Sequence, residues 1–160
     1  MHQNTAPRTP EEARKVVMII AAALMMGLIT TTGMMTVLSP PDLNASPSML
    51  AHAGAGVALL LFFVSQIAPN IAAQQQLKGA DLENDMAMFG AYQTRMITGF
   101  AMLEGAGMFN AVLIIVDGSI QPMIVVALIL ITMVTRFPTP GKIDYWIQTQ
   151  RENQQFEPQN

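Results

Sequence analysis

An apolar run from Arg95 to Val116, RMITGFAMLEGAGMFNAVLIIV, carries a single carboxylate, Glu104, near its middle, and no other stretch restricts the possible folds as much. Its length, about 22 residues at about 1.5 Å of rise each, matches the ~30 Å hydrocarbon core of a bilayer, so the run reads as a membrane span. Counted from Met96, Glu104 lies about 12 Å into that span, where an ionised carboxylate is costly. In an antiparallel bundle its level is shared by about Leu24, Leu61 and Thr132, none of them basic, and Arg95 is more than two turns away. Glu104 is therefore expected to be neutral, donating a hydrogen bond to a carbonyl or hydroxyl, with Thr132 as a supporting polar group.

Three further apolar blocks accompany this one. Half the residues are hydrophobic (51 %) and only 12 % are charged, and the clustering of the apolar residues in long blocks excludes an ordinary soluble core. The expected fold is all-α: a polytopic membrane protein built as a four-helix antiparallel bundle. Residues 1–15 form an N-terminal arm in which Thr9 caps a helix with Pro10 at its first position and Glu12 at its third. Spans are expected at about 16–38, 49–68, 96–116 and 120–135, which together make residues 16–135 the transmembrane domain. Pro69 is expected to end the second span. A polar cytoplasmic loop over 69–95 follows, in which Leu82, Met86, Phe89 and Gln93 recur at helical spacing and read as an extramembrane helix continuous with the third span. Residues 136–160 form a tail whose Phe137, Ile143, Trp146 and Ile147 alternate with charges, a composition suited to lying along lipid headgroups, with disorder at its end.

The basic residues orient this bundle. All eight (Arg8, Arg14, Lys15, Lys78, Arg95, Arg136, Lys142, Arg151) fall in the arm, the middle loop or the tail, and none in the two short turns. Under the positive-inside rule both termini are cytoplasmic.

Small residues mark where helices approach. The second span opens on Ala51, Ala53, Gly54, Ala55 and Gly56, and at 100° per residue the third span divides its packing signals between two sides. Glu104 shares one side with Ile97, Phe100, Ala101, Gly107, Met108 and Ala111, while Gly99, Ala106 and Asn110 cluster opposite. Two contact faces imply neighbours on both sides, from other protomers as well as from the same chain. The supporting polar residues are Asn110 and, at a matching depth nearer the outer surface, His52, which reads as a hydrogen-bonded interfacial histidine.

AHAGAGVALLL, a polar loop, and then AMLEGAGMFNAVLII resembles the hairpin of the proteolipid (c) subunit of rotary ATP synthases over about Ala51 to Ile115. The resemblance implies an inner Gly/Ala-rich helix, matched by Ala53 to Gly56, packed against an outer helix whose mid-membrane carboxylate, matched by Glu104, carries a proton or sodium ion. YQTRMITGFAMLEGAGMFN, a last span and FPT are also similar to small four-span bacterial membrane proteins without assigned activity, which implies a bacterial cytoplasmic membrane and no chemistry.

Several function classes are set aside by the residues themselves. With no cysteine there is no thiolate metal site, cysteine nucleophile or disulfide. The fourteen methionines lack a repeated spacing joined to histidine and read as plastic apolar filler. No phosphate-cradling glycine loop, metal-spaced His/Asp/Glu cluster or nucleophile–base constellation is present, so neither an enzyme nor a cofactor or metal site is expected. Scattered basic residues and a formal net charge of −3 leave nucleic acid without an electrostatic footprint. The expected partners are the lipid bilayer and further copies or other membrane subunits; the expected role is an accessory or oligomer-forming subunit, with ion translocation through Glu104 as the alternative.

Overall fold

A computed structural model describes residues 9–78 and 85–156, and for these the chain is all-helical apart from turns and one isolated bridge. The expectations for the start of the arm, for Leu82 and for the last four residues lie outside the described residues. Five helices follow in order: α1 (Pro10–Leu38), α2 (Met49–Leu77), α3 (Asp85–Asp117), α4 (Gln121–Thr135) and α5 (Pro140–Phe156). The first three are long and apolar enough to cross a membrane. The fourth has 15 residues, about 22 Å, and reaches that standard only jointly with α5, from which it is bent by 68°.

Local chemistry sets the helix ends. Thr9 caps α1 through a reciprocal capping box: the Glu12 amide donates to Thr9 Oγ1 at 3.3 Å, and the Thr9 amide donates to Glu12 Oε2 at 3.1 Å. Ser48 caps α2, its hydroxyl accepting from the Leu50 and Ala51 amides. Gly118, at φ +70°, turns the chain after α3, a backbone conformation that costs glycine nothing. The two turns at this end are tied together. Asp117 accepts from the Ser48 amide at 3.0 Å and from the Ser119 hydroxyl, and the Asp42 amide donates to Gly118 O at 2.8 Å.

The other helices are arranged around α3. Half of its apolar span (50 %) is buried inside the protein, against 17 % for α1 and 22 % for α2. At about 1.5 Å per residue its 33 residues extend about 50 Å, so it outruns a hydrocarbon core and projects beyond it. The outward faces of the flanking helices remain apolar: Leu59, Leu60, Phe63 and Ile67 on α2 and Ile124, Leu128 and Ile131 on α4 are all exposed. An apolar surface this extensive is what a helix bundle presents to lipid rather than to water.

Three parts of the structure differ from the sequence expectation. First, α2 does not end at Pro69 but runs through it to Leu77. Proline removes the amide that would bond the carbonyl of residue 65, and Arg136 supplies donors there instead, its Nη1 lying 3.1 Å from Ser65 Oγ and 3.4 Å from Ser65 O. Gly99 accommodates the ring from the α3 side, since a Cβ at that position would come 3.3 Å from Pro69 Cγ. Second, the first part of the 69–95 segment is helix continuous with α2, whereas the helix expected to lead into the third span is present from Asp85. Third, the tail residues expected to suit lipid headgroups also pack against the bundle, as helix α5. Ile143 and Ile147, one turn apart, are buried in the same cluster as Ala13, Val17, Leu77, Met88 and Phe89. Tyr92 and Trp146 meet edge to face at 5.4 Å, and the exposed ion pairs Arg14–Asp144 and Arg151–Asp85 tie α5 to α1 and α3. Exposed pairs contribute little, so the apolar burial decides the docking.

Close approach at α3 depends on particular glycines. A Cβ on Gly107 would come 2.6 Å from Leu28 Cδ2 of α1, and one on Gly54 would collide with Leu113 and lie 2.9 Å from Asn110 Oδ1. Gly56, expected to pack, is exposed and has nothing within 4 Å of its Cβ position. Gly54→Leu and Gly107→Leu are therefore expected to destabilise the fold by about 1–3 kcal/mol or more, whereas Gly56→Leu and Leu60→Ala stay within about 1 kcal/mol. Reversible unfolding in mixed micelles measures the difference; equal costs at Gly54 and Gly56 would refute this packing.

Candidate functional site

Helical periodicity presents Glu104 beside the groove between α3 and α1. Its neighbours one turn away, Phe100 and Gly107, turn inward, whereas Ala101, Gly105 and Met108 are exposed. Glu104 itself is half-buried, and across the groove stands Gly27 of α1, whose Cβ, if it had one, would lie 3.3 Å from Glu104 Oε1. The absent side chain leaves the carboxyl room to lie against α1. Among the described residues no hydrogen bond or ion pair holds this carboxyl. Gly105 beside it has nothing within 4 Å of its Cβ position, so the surface next to the carboxyl is open and nearly smooth.

The polar residues expected to support Glu104 go elsewhere. Thr132 Oγ1 donates to Leu128 O at 2.9 Å, within its own helix. His52 is exposed, with Nδ1 2.8 Å from Ser48 O, which satisfies it within one turn. Asn110 faces the other side of α3 from Glu104 and is fully buried. Its Nδ2 donates to Gly54 O of α2 at 3.2 Å and to Ala106 O at 2.9 Å. The absence of a side chain at Gly54 is what admits the amide. Ala106 and Gly99 are buried on this same α2-facing side.

The two contact faces of α3 are thus both real, and both are filled by the chain's own helices. Gly107 meets Leu28 of α1, while Gly99 meets Pro69 and Asn110 meets Gly54, both of α2. Two faces on α3 accordingly require no second protomer, and the surface left open for association is the one at Glu104 and Gly105. Gly27 and Leu28 went unnoticed in the sequence because an apolar helix with isolated glycines does not reveal which face meets which partner. The one available signal was that α1 runs antiparallel to α2 and alongside α3, which brings Gly27 near the level of Glu104.

Among the described residues no group of three or more His, Cys, Asp or Glu is placed to hold a metal ion. Chemically, the groove offers one carboxyl group, an apolar surround and a backbone approachable from outside. Comparison of the chain with protein-family models, with curated proteins and with solved structures finds no match.

Proposed function

We propose that the protein is a non-enzymatic integral membrane protein of four spans, with both termini cytoplasmic in a bacterial cytoplasmic membrane, and that it serves as an accessory or oligomer-forming subunit of a larger membrane assembly. Glu104 carries this reading. It is a carboxyl in the apolar stretch of the central helix that no group among the described residues satisfies. A polar group left orphaned in hydrocarbon is costly, and intramembrane carboxyls generally face a partner or a water-filled path. Ala101 and Gly105 on the exposed face beside it let the backbone of another helix approach closely enough to supply that partner.

The clustering of basic groups at one end of the bundle supports the orientation. Cysteine accessibility in intact cells is expected to label Ala45→Cys from outside and Lys78→Cys and Gln150→Cys only after permeabilisation. Labelling of the last two from outside would reverse the orientation.

The same half-exposed carboxyl favours a second reading, in which Glu104 carries a proton or sodium ion as in the proteolipid hairpin the chain resembles. Glutamine keeps the shape, the donor and the acceptor of a neutral carboxyl but cannot release a proton. Glu104→Gln is therefore expected to assemble as wild type does in native gels, and Glu104→Lys to fail, because an unpaired cation at mid-bilayer costs about 3 kcal/mol or more. Reconstituted wild-type protein is expected to pass neither ion. Wild-type flux abolished by Glu104→Gln, with assembly unchanged, would replace the subunit reading by the translocation reading.

A further inference from the structure

At the basic end of the bundle, α2 around Pro69, α3 from Tyr92 to Phe100, the end of α4 and one face of α5 line an open cavity of about 420 Å³. Arg95, Arg136 and Lys142 all line it, and none of its described lining residues is an Asp or Glu. Ion pairs among the described residues engage Arg14, Lys15 and Arg151 instead. Three cations therefore converge with no counter-charge among the described lining residues.

Each cation is held in place by neutral groups, which orient it without cancelling its charge. Arg95 Nε donates to Asn70 Oδ1 at 2.7 Å, and its guanidinium lies 5.9 Å from the centre of the Trp146 ring. Arg136 uses Nη1 on Ser65 and lies over Phe62. Lys142 Nζ donates to the carbonyls of Thr135 and Phe137 at 2.8 and 3.2 Å, at the end of α4. Among the described residues no hydrogen bond takes up either terminal nitrogen of Arg95 or Nη2 of Arg136. These are planar, multiply donating groups of the kind that grip phosphate.

The cavity lining also has an apolar part. Met96, Gly99 and Phe100, up to five residues or about 7.5 Å further along α3 from Arg95, line it together with Pro69. Cations beside an apolar stretch, near the ends of the apolar parts of the long helices, match a headgroup phosphate continued by the start of an acyl chain.

We propose that this cavity binds a phosphate-bearing anion and that its occupant is the headgroup of an anionic phospholipid. The lipid source rests on the membrane placement proposed above, whereas the anion site does not, so the two can fail separately.

Trp146 is the only tryptophan and lines the cavity, so its fluorescence reports occupancy directly. The full chain reconstituted in phosphatidylcholine vesicles doped with brominated phosphatidylglycerol is expected to show saturable quenching at low lipid fraction, with brominated phosphatidylcholine quenching far less. Arg95→Gln and Lys142→Gln are each expected to raise the half-saturating fraction about fivefold, in line with the effect of one cation near an anionic headgroup. Lys78→Gln removes the same charge outside the cavity and is expected to leave quenching unchanged. Lys142 is exposed, so its variant tests the site even if Arg95→Gln fails to fold, and Arg95→Lys is expected to recover part of the response. In neutral detergent the same signal is followed on titration with inorganic phosphate. A saturable response lost in Arg95→Gln supports the anion site with free phosphate as a source. Equal quenching by both brominated lipids would overturn the lipid source, and no response to phosphate together with no change in either cavity variant would overturn the anion site.

Discussion

Close approach of backbones along α3 is the constraint on which the rest of the structure depends. In hydrocarbon there is little hydrophobic force to press one helix against another, so association relies on dense packing and occasional hydrogen bonds between helices. Both devices occur here, and both need a missing side chain. Gly107 lets Leu28 of α1 lie against the α3 backbone, Gly54 lets the Asn110 amide reach the α2 backbone, and Gly99 makes room for the Pro69 ring. With α1 and α2 fixed on opposite flanks of α3, α4 completes the bundle, and large apolar side chains are left on the outside, where lipid solvates them.

A second consequence concerns the basic end. Continuing α2 through Pro69 leaves the Ser65 carbonyl without its usual amide, and Arg136, at the end of α4, donates to Ser65 there. The same bend that places Arg136 sends the chain back as α5, whose Ile143 and Ile147 are buried with residues of α1 and α3. Helix continuation, bend and docking thus converge on one corner, and that corner is where Arg95, Arg136 and Lys142 meet around the cavity. Structural and binding roles overlap in Arg136, whereas Arg95 and Lys142 keep their charges turned to the cavity while bonding only neutral oxygens.

The long apolar helices, their approximate limits and the capping of α1 by Thr9 were legible because they depend on local composition and short-range chemistry. The passage of α2 through Pro69 was not, because the donor to Ser65 comes from a residue 71 positions away. Gly54 and Gly56 looked equivalent for a similar reason: two residues apart on a helix they face different ways, and only the position of α3 decides which is buried. Glu104 was found by its depth, but its lack of a partner among the described residues could be seen only once Thr132 and His52 were placed on other business. The convergence at the basic corner left a readable trace, since Arg95 begins one span and Arg136 ends its antiparallel neighbour, which puts the two at one level.

The central claim is that the Gly107 seam joins α3 to α1 of the same molecule. Because the chain lacks cysteine, a single introduced pair can test it without background. In Leu28→Cys/Gly107→Cys the shortened side chain at 28 vacates the space that the new one at 107 needs, and the Gly107 Cβ position lies 3.3 Å from Leu28 Cγ, near enough for a disulfide. Oxidation in native membranes, read by gel mobility and by mass spectrometry of the linked peptide, is predicted to give an internally bridged monomer at any expression level. Bonds formed only between chains, or none at all, would contradict the account.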